Sequence, residues 1–184
     1  MNIFIGCSAS ENISDQYKES SKILIQKISQ IKSLNLVFGA YYKGLMAICY
    51  DCFKQNNKKV IGITPKIYSN EFVNMPCDEE VITNTTMERF NEIYKKSNIF
   101  LFLPGGIGTL AEIFNAIEEN RTNDNNKKKI ILYNKDFFYT PIIKELYNMY
   151  KENFIKEELS NYIVIESDID KVIELIEKET NKYE

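Results

Sequence analysis

The sequence predicts an α/β fold built on a doubly wound, mostly parallel sheet of about seven strands with helices on both faces. Three observations predict it. Short apolar runs alternate with longer amphipathic ones from end to end, the pattern of parallel strands joined by crossover helices. Several runs are almost wholly apolar, such as Ile99-Phe100-Leu101-Phe102-Leu103, as central strands covered on both faces must be. Three strand-to-helix junctions carry glycine, where a parallel sheet turns its chain at the carboxyl edge.

Taken in order, the first strand is Asn2 to Gly6, and the helix Asp15 to Ser33 follows with apolar Tyr17, Leu24, Ile28 and Ile31 at helical spacing. The second strand is Asn35 to Gly39. The helix Tyr42 to Gln55 comes next, with Leu45, Ile48, Cys49 and Cys52 on one stripe. The third strand, Lys59 to Thr64, leads into Pro65 to Asp78, where Pro65, Asn70, Asn74 and Pro76 break any period, so an irregular excursion is expected. Such a loop at the carboxyl edge of a sheet often borders a site. The fourth strand is Glu79 to Thr83. It precedes a helix Thr86 to Lys96, in which Arg89, Glu92 and Lys96 form a polar stripe opposite Met87 and Tyr94. Strand five is Asn98 to Leu103 and its helix Gly108 to Arg121. The polar run Thr122 to Lys129 reads as a solvated loop before the sixth strand, Lys129 to Tyr133. A helix Tyr139 to Tyr150, a last strand Tyr162 to Glu166 and a helix Asp168 to Lys178 complete a Rossmann-like order. No internal repeat or linker interrupts it, so residues 1–184 are expected to form one domain.

Composition narrows the chemistry. With 184 residues, 44% of them hydrophobic, the chain buries a sizeable core without disulfides or metal. A net charge of −3 argues against a nucleic-acid polymer or a membrane surface as partner, because both demand a concentrated positive field. The count of histidines is zero, which removes an imidazole base, a Ser-His-Asp triad and His-ligated metals. Of Cys7, Cys49, Cys52 and Cys77, only Cys49-x-x-Cys52 has metal-like spacing and it lacks a second pair, so reduced thiols packed in the core are expected. The start of the chain has too short an apolar run for a signal peptide, and no run approaches the ~20 residues of a membrane span. A cytoplasmic location is expected.

Ligands of an open parallel sheet bind beyond the carboxyl ends of its strands, which directs attention to Gly6-Cys7-Ser8, to Gly39-Ala40-Tyr41-Tyr42-Lys43-Gly44 and to Pro104-Gly105-Gly106-Ile107-Gly108-Thr109. The last is the strongest. Three glycines in four residues let successive N–H groups turn inward while the following helix offers its positive end, and Thr109 adds a hydroxyl, which makes a phosphate cradle. It is neither a Walker loop nor Gly-x-Gly-x-x-Gly. The bland alternative is a tight turn with Thr109 as helix cap. Glu112 then has two readings: a carboxylate facing a ligand at the helix start, or the far half of a Thr-x-x-Glu capping box. Arg89 is likewise either a site residue or one charge on a solvated face, paired three residues along its helix.

Taken together these residues resemble the LOG, or "lonely guy", family of cytokinin riboside 5'-monophosphate phosphoribohydrolases, often labelled possible lysine decarboxylases. The segment Pro104-Gly105-Gly106-Ile107-Gly108-Thr109-Leu110-Ala111-Glu112 matches the family's P-G-G-x-G-T-x-x-E at every defined position, and Arg89 lies 23 residues before Glu112, as in the family pattern. Gly44-Leu45-Met46, Val60-Ile61-Gly62-Ile63-Thr64-Pro65, Phe138-Tyr139-Thr140-Pro141-Ile142 and Asn153-Phe154-Ile155 match further family segments. Two departures fall near the expected pocket: the family's G-G-G is Gly39-Ala40-Tyr41, and its M-H-x-R-K reads Thr86-Met87-Glu88-Arg89-Phe90.

The resemblance implies an enzyme that hydrolyses the N-glycosidic bond of a nucleoside 5'-monophosphate such as AMP. It implies Glu112 at the ribose hydroxyls or the attacking water, Arg89 at the base or leaving group, and the loop Gly105, Gly106, Ile107, Gly108 and Thr109, with Gly6, Ser8 and Gly39, around the phosphate and sugar. No metal and no organic cofactor is implied, and no residue pattern marks a pyridoxal-phosphate lysine. Two other readings stay open: a nucleotide-binding module without turnover, and an N-glycosidase or deoxyribosyltransferase acting on deoxynucleotides. The family habit also implies a homodimer, for which the stripe Leu45, Ile48, Cys49 and Cys52 is the expected interface.

Overall fold

The structure, a computed structural model, describes residues 1–123 and 127–182. The central part of the polar run expected to be a loop, residues 124–126, lies outside the described residues. The strands are β1 Asn2–Gly6, β2 Asn35–Phe38, β3 Val60–Pro65, β4 Glu79–Thr83, β5 Ile99–Phe102, β6 Lys129–Tyr133 and β7 Val164–Glu166. The helices are α1 Asp15–Ser29, α2 Gly44–Gln55, α3 Thr86–Lys96, α4 Ile107–Thr122, α5 Thr140–Lys151 and α6 Ile169–Thr180. All seven strands join one sheet, in the order β4-β3-β2-β1-β5-β6-β7, and every pairing is parallel. That agrees with the fold class expected from alternation alone.

The sheet separates two cores. On one side α1, α2 and α6 cover Ile3, Ile5, Leu36, Phe38 and Leu101. On the other α3, α4 and α5 cover Phe4, Val37, Phe100, Phe102 and Leu132. Successive strand residues alternate between these lists because β side chains point to opposite faces, and both faces are covered, so the strands read as unbroken apolar runs.

Three expectations need correction. Of the stripe, Leu45, Cys49 and Cys52 are buried within this chain and Ile48 is half-buried against the same core, so α2 turns these side chains mainly to α1 and the sheet and offers a partner only the edge of Ile48. The excursion after β3 is ordered as a 3-10 segment, Lys66–Val73, anchored by buried Phe72. A Cβ on Gly62 would lie 2.6 Å from the Phe72 ring, so a bare position in β3 lets this segment lie flat on the sheet edge. The second helix starts at Gly44 instead of Tyr42, because Lys43 is extended and Gly44 takes φ +55°, a turn that only glycine makes freely.

Candidate active site

The chain winds outward from β1 through β2 and β3 to β4, then returns along α3 to place β5 on the other side of β1. This reversal opens a crevice beyond the carboxyl ends of β1 and β5, the switch point at which doubly wound sheets hold ligands. A cleft of about 460 Å³ lies there. Cys7 and Ser8 line it after β1, Gly39 and Tyr41 after β2, and Gly106, Gly108, Thr109 and Glu112 from the start of α4.

The centre of the site is an ion pair between two helices on one face of the sheet. Nη2 of Arg89, on α3, donates to Oε1 of Glu112, on α4, at 2.7 Å, and Nε of Arg89 donates to the Ile63 carbonyl of β3 at 3.1 Å. The two side chains are 11% and 5% exposed, so the pair is largely withdrawn from water. Both held donors point the guanidinium across the carboxyl ends of the strands. The other oxygen of Glu112, Oε2, is buried and has no hydrogen-bond partner among the described residues. A buried carboxylate oxygen left without a donor is costly unless a ligand satisfies it. Burial pushes the Glu112 carboxyl above the ordinary glutamate range, and the charge and hydrogen bond of Arg89 oppose that rise.

Both bland readings therefore fail. Glu112 does not cap α4, whose cap is Gly106, with Ile107 as the first helical residue and Thr109 already inside the first turn. The capping arrangement lies instead on α3, where Thr85 accepts from Glu88 N at 3.1 Å and Glu88 accepts from Asn84 N at 2.8 Å. Arg89 is not on a solvated face either: Glu92 pairs with Lys95 and Lys96 with Glu79, leaving Arg89 turned inward. The fixed start of α3 sets which way Arg89 faces.

The glycines divide into two kinds. A Cβ on Gly6 would meet the Phe102 ring at 2.6 Å and Oε2 of Glu112 at 2.9 Å, and one on Gly39 would meet Nη2 of Arg89 at 2.7 Å. These positions are bare so that the charged pair can sit on the sheet edge. A Cβ on Gly105 would likewise run into Thr109, 2.1 Å from its hydroxyl oxygen. Gly106 and Gly108 differ, because an added Cβ would have nothing within 4 Å at either. The protein gives these two no packing reason to be glycine, and both line the cleft. Close approach of a ligand to the backbone is the remaining physical reason.

Of the residues picked out in the sequence, Ser8, Gly39, Arg89, Gly106, Gly108, Thr109 and Glu112 meet on the cleft wall. Gly6 and Gly105 sit behind it as spacers, and the side chain of Ile107 faces outward, 87% exposed. Tyr41 and Thr86, which the sequence placed near the expected pocket only as parts of its two departures from the family pattern, line the cleft, and so do Met46 and Tyr68, which it did not pick out as cleft residues. For Tyr68 the signal was present, since it lies in the long segment leaving the carboxyl edge of β3.

A family profile described as "Possible lysine decarboxylase" matches residues 46–176. Among curated relatives, cytokinin riboside 5'-monophosphate phosphoribohydrolase LOG2 of Arabidopsis thaliana is 25% identical over 99% of this chain and 85% of its own length. The enzyme of the same name, LOG, from Oryza sativa subsp. japonica is 26% identical over 99% of this chain and 75% of its own. Among solved structures, the molybdenum cofactor binding protein of Rippkaea orientalis superposes with a TM-score of 0.69 at 23% identity, covering 96% of this chain and 95% of that one. The molybdenum cofactor carrier protein of Chlamydomonas reinhardtii superposes with the same TM-score at 16% identity, covering 98% of each chain. At these identities the superpositions show a shared fold.

Proposed function

Because the chain belongs to the possible lysine decarboxylase family, the LOG family, we propose that it is a nucleoside 5'-monophosphate phosphoribohydrolase. The reaction is hydrolysis of the N-glycosidic bond of AMP or of a cytokinin riboside 5'-monophosphate, giving the free base and ribose 5-phosphate. The observation that carries this reading is the Arg89–Glu112 pair, with one carboxylate oxygen unsatisfied among the described residues, in a cleft whose Gly106 and Gly108 have no packing reason to be bare.

In this reading the N–H groups of Gly106 to Thr109 and the positive end of α4 hold the 5'-phosphate. Phosphate binding at that remote point orients C1' over Glu112. Water adds to C1' while the C1'–N bond breaks, and a proton passes to the departing base, through a state in which positive charge builds on the sugar ring. Oε2 of Glu112 supplies negative charge there and accepts a hydrogen bond from a ribose hydroxyl or the attacking water. Arg89 opposes the upward push that burial gives the Glu112 carboxyl and presents positive charge toward the leaving base.

We also propose that the protein is a cytoplasmic homodimer, with Met87 and Ile107 beside the cleft, 60% and 87% exposed, as part of the interface in place of the α2 stripe. The four unpaired cysteines suit a reducing compartment. Light scattering of an active sample as a monomer would overturn the dimer.

Chromatography of the purified protein with a panel of nucleoside monophosphates tests the activity. Release of free base and ribose 5-phosphate is expected. Tight nucleotide binding without any base release would make the protein a binding module instead, and faster cleavage of dAMP than of AMP would move it to the deoxynucleotide enzymes.

A further inference from the structure

The cleft has two chemically different ends. The end over β5 and α4 is lined by backbone and Thr109, and the middle by Glu112 and Arg89. The opposite end, over β2 and β3, is aromatic. Tyr41 follows β2 and Tyr68 lies in the 3-10 segment after β3, and their ring centroids are 6.0 Å apart with planes inclined at 68°. Rings meeting edge to face form a corner and leave a face unstacked, unlike a closed parallel pair. The Lys43 ammonium stands 5.6 Å from the Tyr41 centroid and steadies that ring from one side.

Strand spacing places this corner two to three strands from β5, roughly 10–14 Å, which suits a nucleotide laid across the sheet edge with its phosphate on α4. The polar side chains near the corner are the hydroxyls of Thr64 and Thr86, one at the end of β3 and one at the start of α3. Among the described residues lining the cleft there is no Asn, Gln or Asp to read the edge of a base by paired hydrogen bonds.

Resting on the phosphoribohydrolase reading, we propose that Tyr41 and Tyr68 form the base subsite and hold the leaving base by stacking, so that the enzyme takes purine nucleoside 5'-monophosphates as a class without selecting one purine. Stacking is tolerant because every base presents a π-face, and a larger purine face gains more than a pyrimidine. The two buried charges of the cleft, Arg89 and Glu112, are held by each other and by the Ile63 carbonyl, so the Tyr41–Tyr68 corner brings no buried edge-reading group of its own that a change of exocyclic substituent would leave unpaired, and it cannot strongly reject one purine in favour of another. Tyr41 is where this chain departs from the glycine run of its family, which makes the corner a property of this sequence.

The experiment measures kcat/KM for AMP, GMP, IMP and CMP, and calorimetric affinity for AMP and ribose 5-phosphate, in the parent chain and in Tyr41→Ala, Tyr41→Phe, Tyr68→Ala and Tyr68→Phe. Expected are purine values within about tenfold of one another and above CMP. Each alanine variant should raise KM for all three purines by roughly five- to 150-fold, matching ~1–3 kcal/mol of stacking. Phenylalanine variants keep the ring and should stay near the parent, and ribose 5-phosphate affinity should not change. A preference above a thousandfold for one purine, or alanine variants indistinguishable from the parent, overturns the proposal. If no nucleotide is hydrolysed, the function reading fails separately and binding still decides: an affinity advantage of AMP over ribose 5-phosphate that disappears in the alanine variants supports the subsite. Equal affinity in the parent overturns it.

Discussion

A Cβ on Gly39 would stand 2.7 Å from Nη2 of Arg89, so the end of β2 is cut back to the backbone where the guanidinium lies against it. The other atoms in the way belong to Met46, beginning with its methyl carbon at 3.2 Å, and all are ends of flexible side chains. Gly39→Ala should therefore cost about 1 kcal/mol of stability or less. By shifting Arg89 it should lower kcat/KM by roughly a hundredfold. Gly6→Ala should behave differently, because its Cβ meets the fully buried Phe102 ring at 2.6 Å as well as Glu112. Overpacking there should cost ~1–3 kcal/mol in addition to activity. Melting curves and kinetics on both variants check the contrast, and equal stability losses would refute it.

The pH dependence follows from Glu112. Burial raises its carboxyl and Arg89 partly reverses the rise, so the acid limb of kcat/KM should lie above the ordinary glutamate value of ~4.3. Removing the guanidinium in Arg89→Ala should move that limb to still higher pH as well as lowering the rate. The folded state holds the Glu112 proton over a range where the unfolded chain has lost it. Stability from this group is thus full below the ordinary glutamate range and declines as pH rises through the raised value. Glu112→Gln should abolish turnover and remove that decline, so its melting temperature relative to the parent should improve from pH 4 to pH 8. A constant difference across that range would show that Glu112 titrates normally.

The empty surroundings of Gly108 predict an uncommon pairing of effects. In the first turn of α4, with nothing within 4 Å of a Cβ, Gly108→Ala should stabilise the protein by about 0.5–1 kcal/mol through helix propensity. The new methyl would stand in the phosphate cradle, so KM for AMP should rise at least tenfold. The parent should hydrolyse adenosine orders of magnitude more slowly than AMP, because charge-assisted phosphate bonds at ~1.5–3 kcal/mol each are lost. Activity on AMP that survives intact in Gly108→Ala would move the phosphate elsewhere.

Away from the cleft, Asp136 and Phe137 are consecutive left-handed residues at φ +49° and +61°, and the Phe137 ring is 78% exposed. A bulky side chain in that region is strained by ~1–2 kcal/mol, and little packing offsets it here. Phe137→Gly should raise stability by up to ~1 kcal/mol, or about 2–4 °C in Tm, with activity unchanged. A lower Tm would mean that the ring contributes packing that outweighs its backbone strain.

By itself the sequence determined the sheet and its helices, because strand and helix periods are written locally, in runs such as Ile99 to Phe102 and in the glycines that end β1 and follow β5. It also marked the loop Gly105 to Thr109 and, by resemblance, the partners Arg89 and Glu112. Local pattern left two readings of each: Thr-x-x-Glu spells a capping box as well as a site, and Arg89 with Glu92 spells a surface pair. Only the tertiary structure decided between them, because what selects a partner for Glu112 is the crossing of α3 and α4 over the carboxyl edge, a contact between residues 23 apart. The same holds for the α2 stripe, whose apolar face is equally suited to a core or to a partner until α1 is seen covering it. The corner of Tyr41 and Tyr68 belongs to the same class, since two loops 27 residues apart in sequence meet only through the order of β2 and β3 in the sheet.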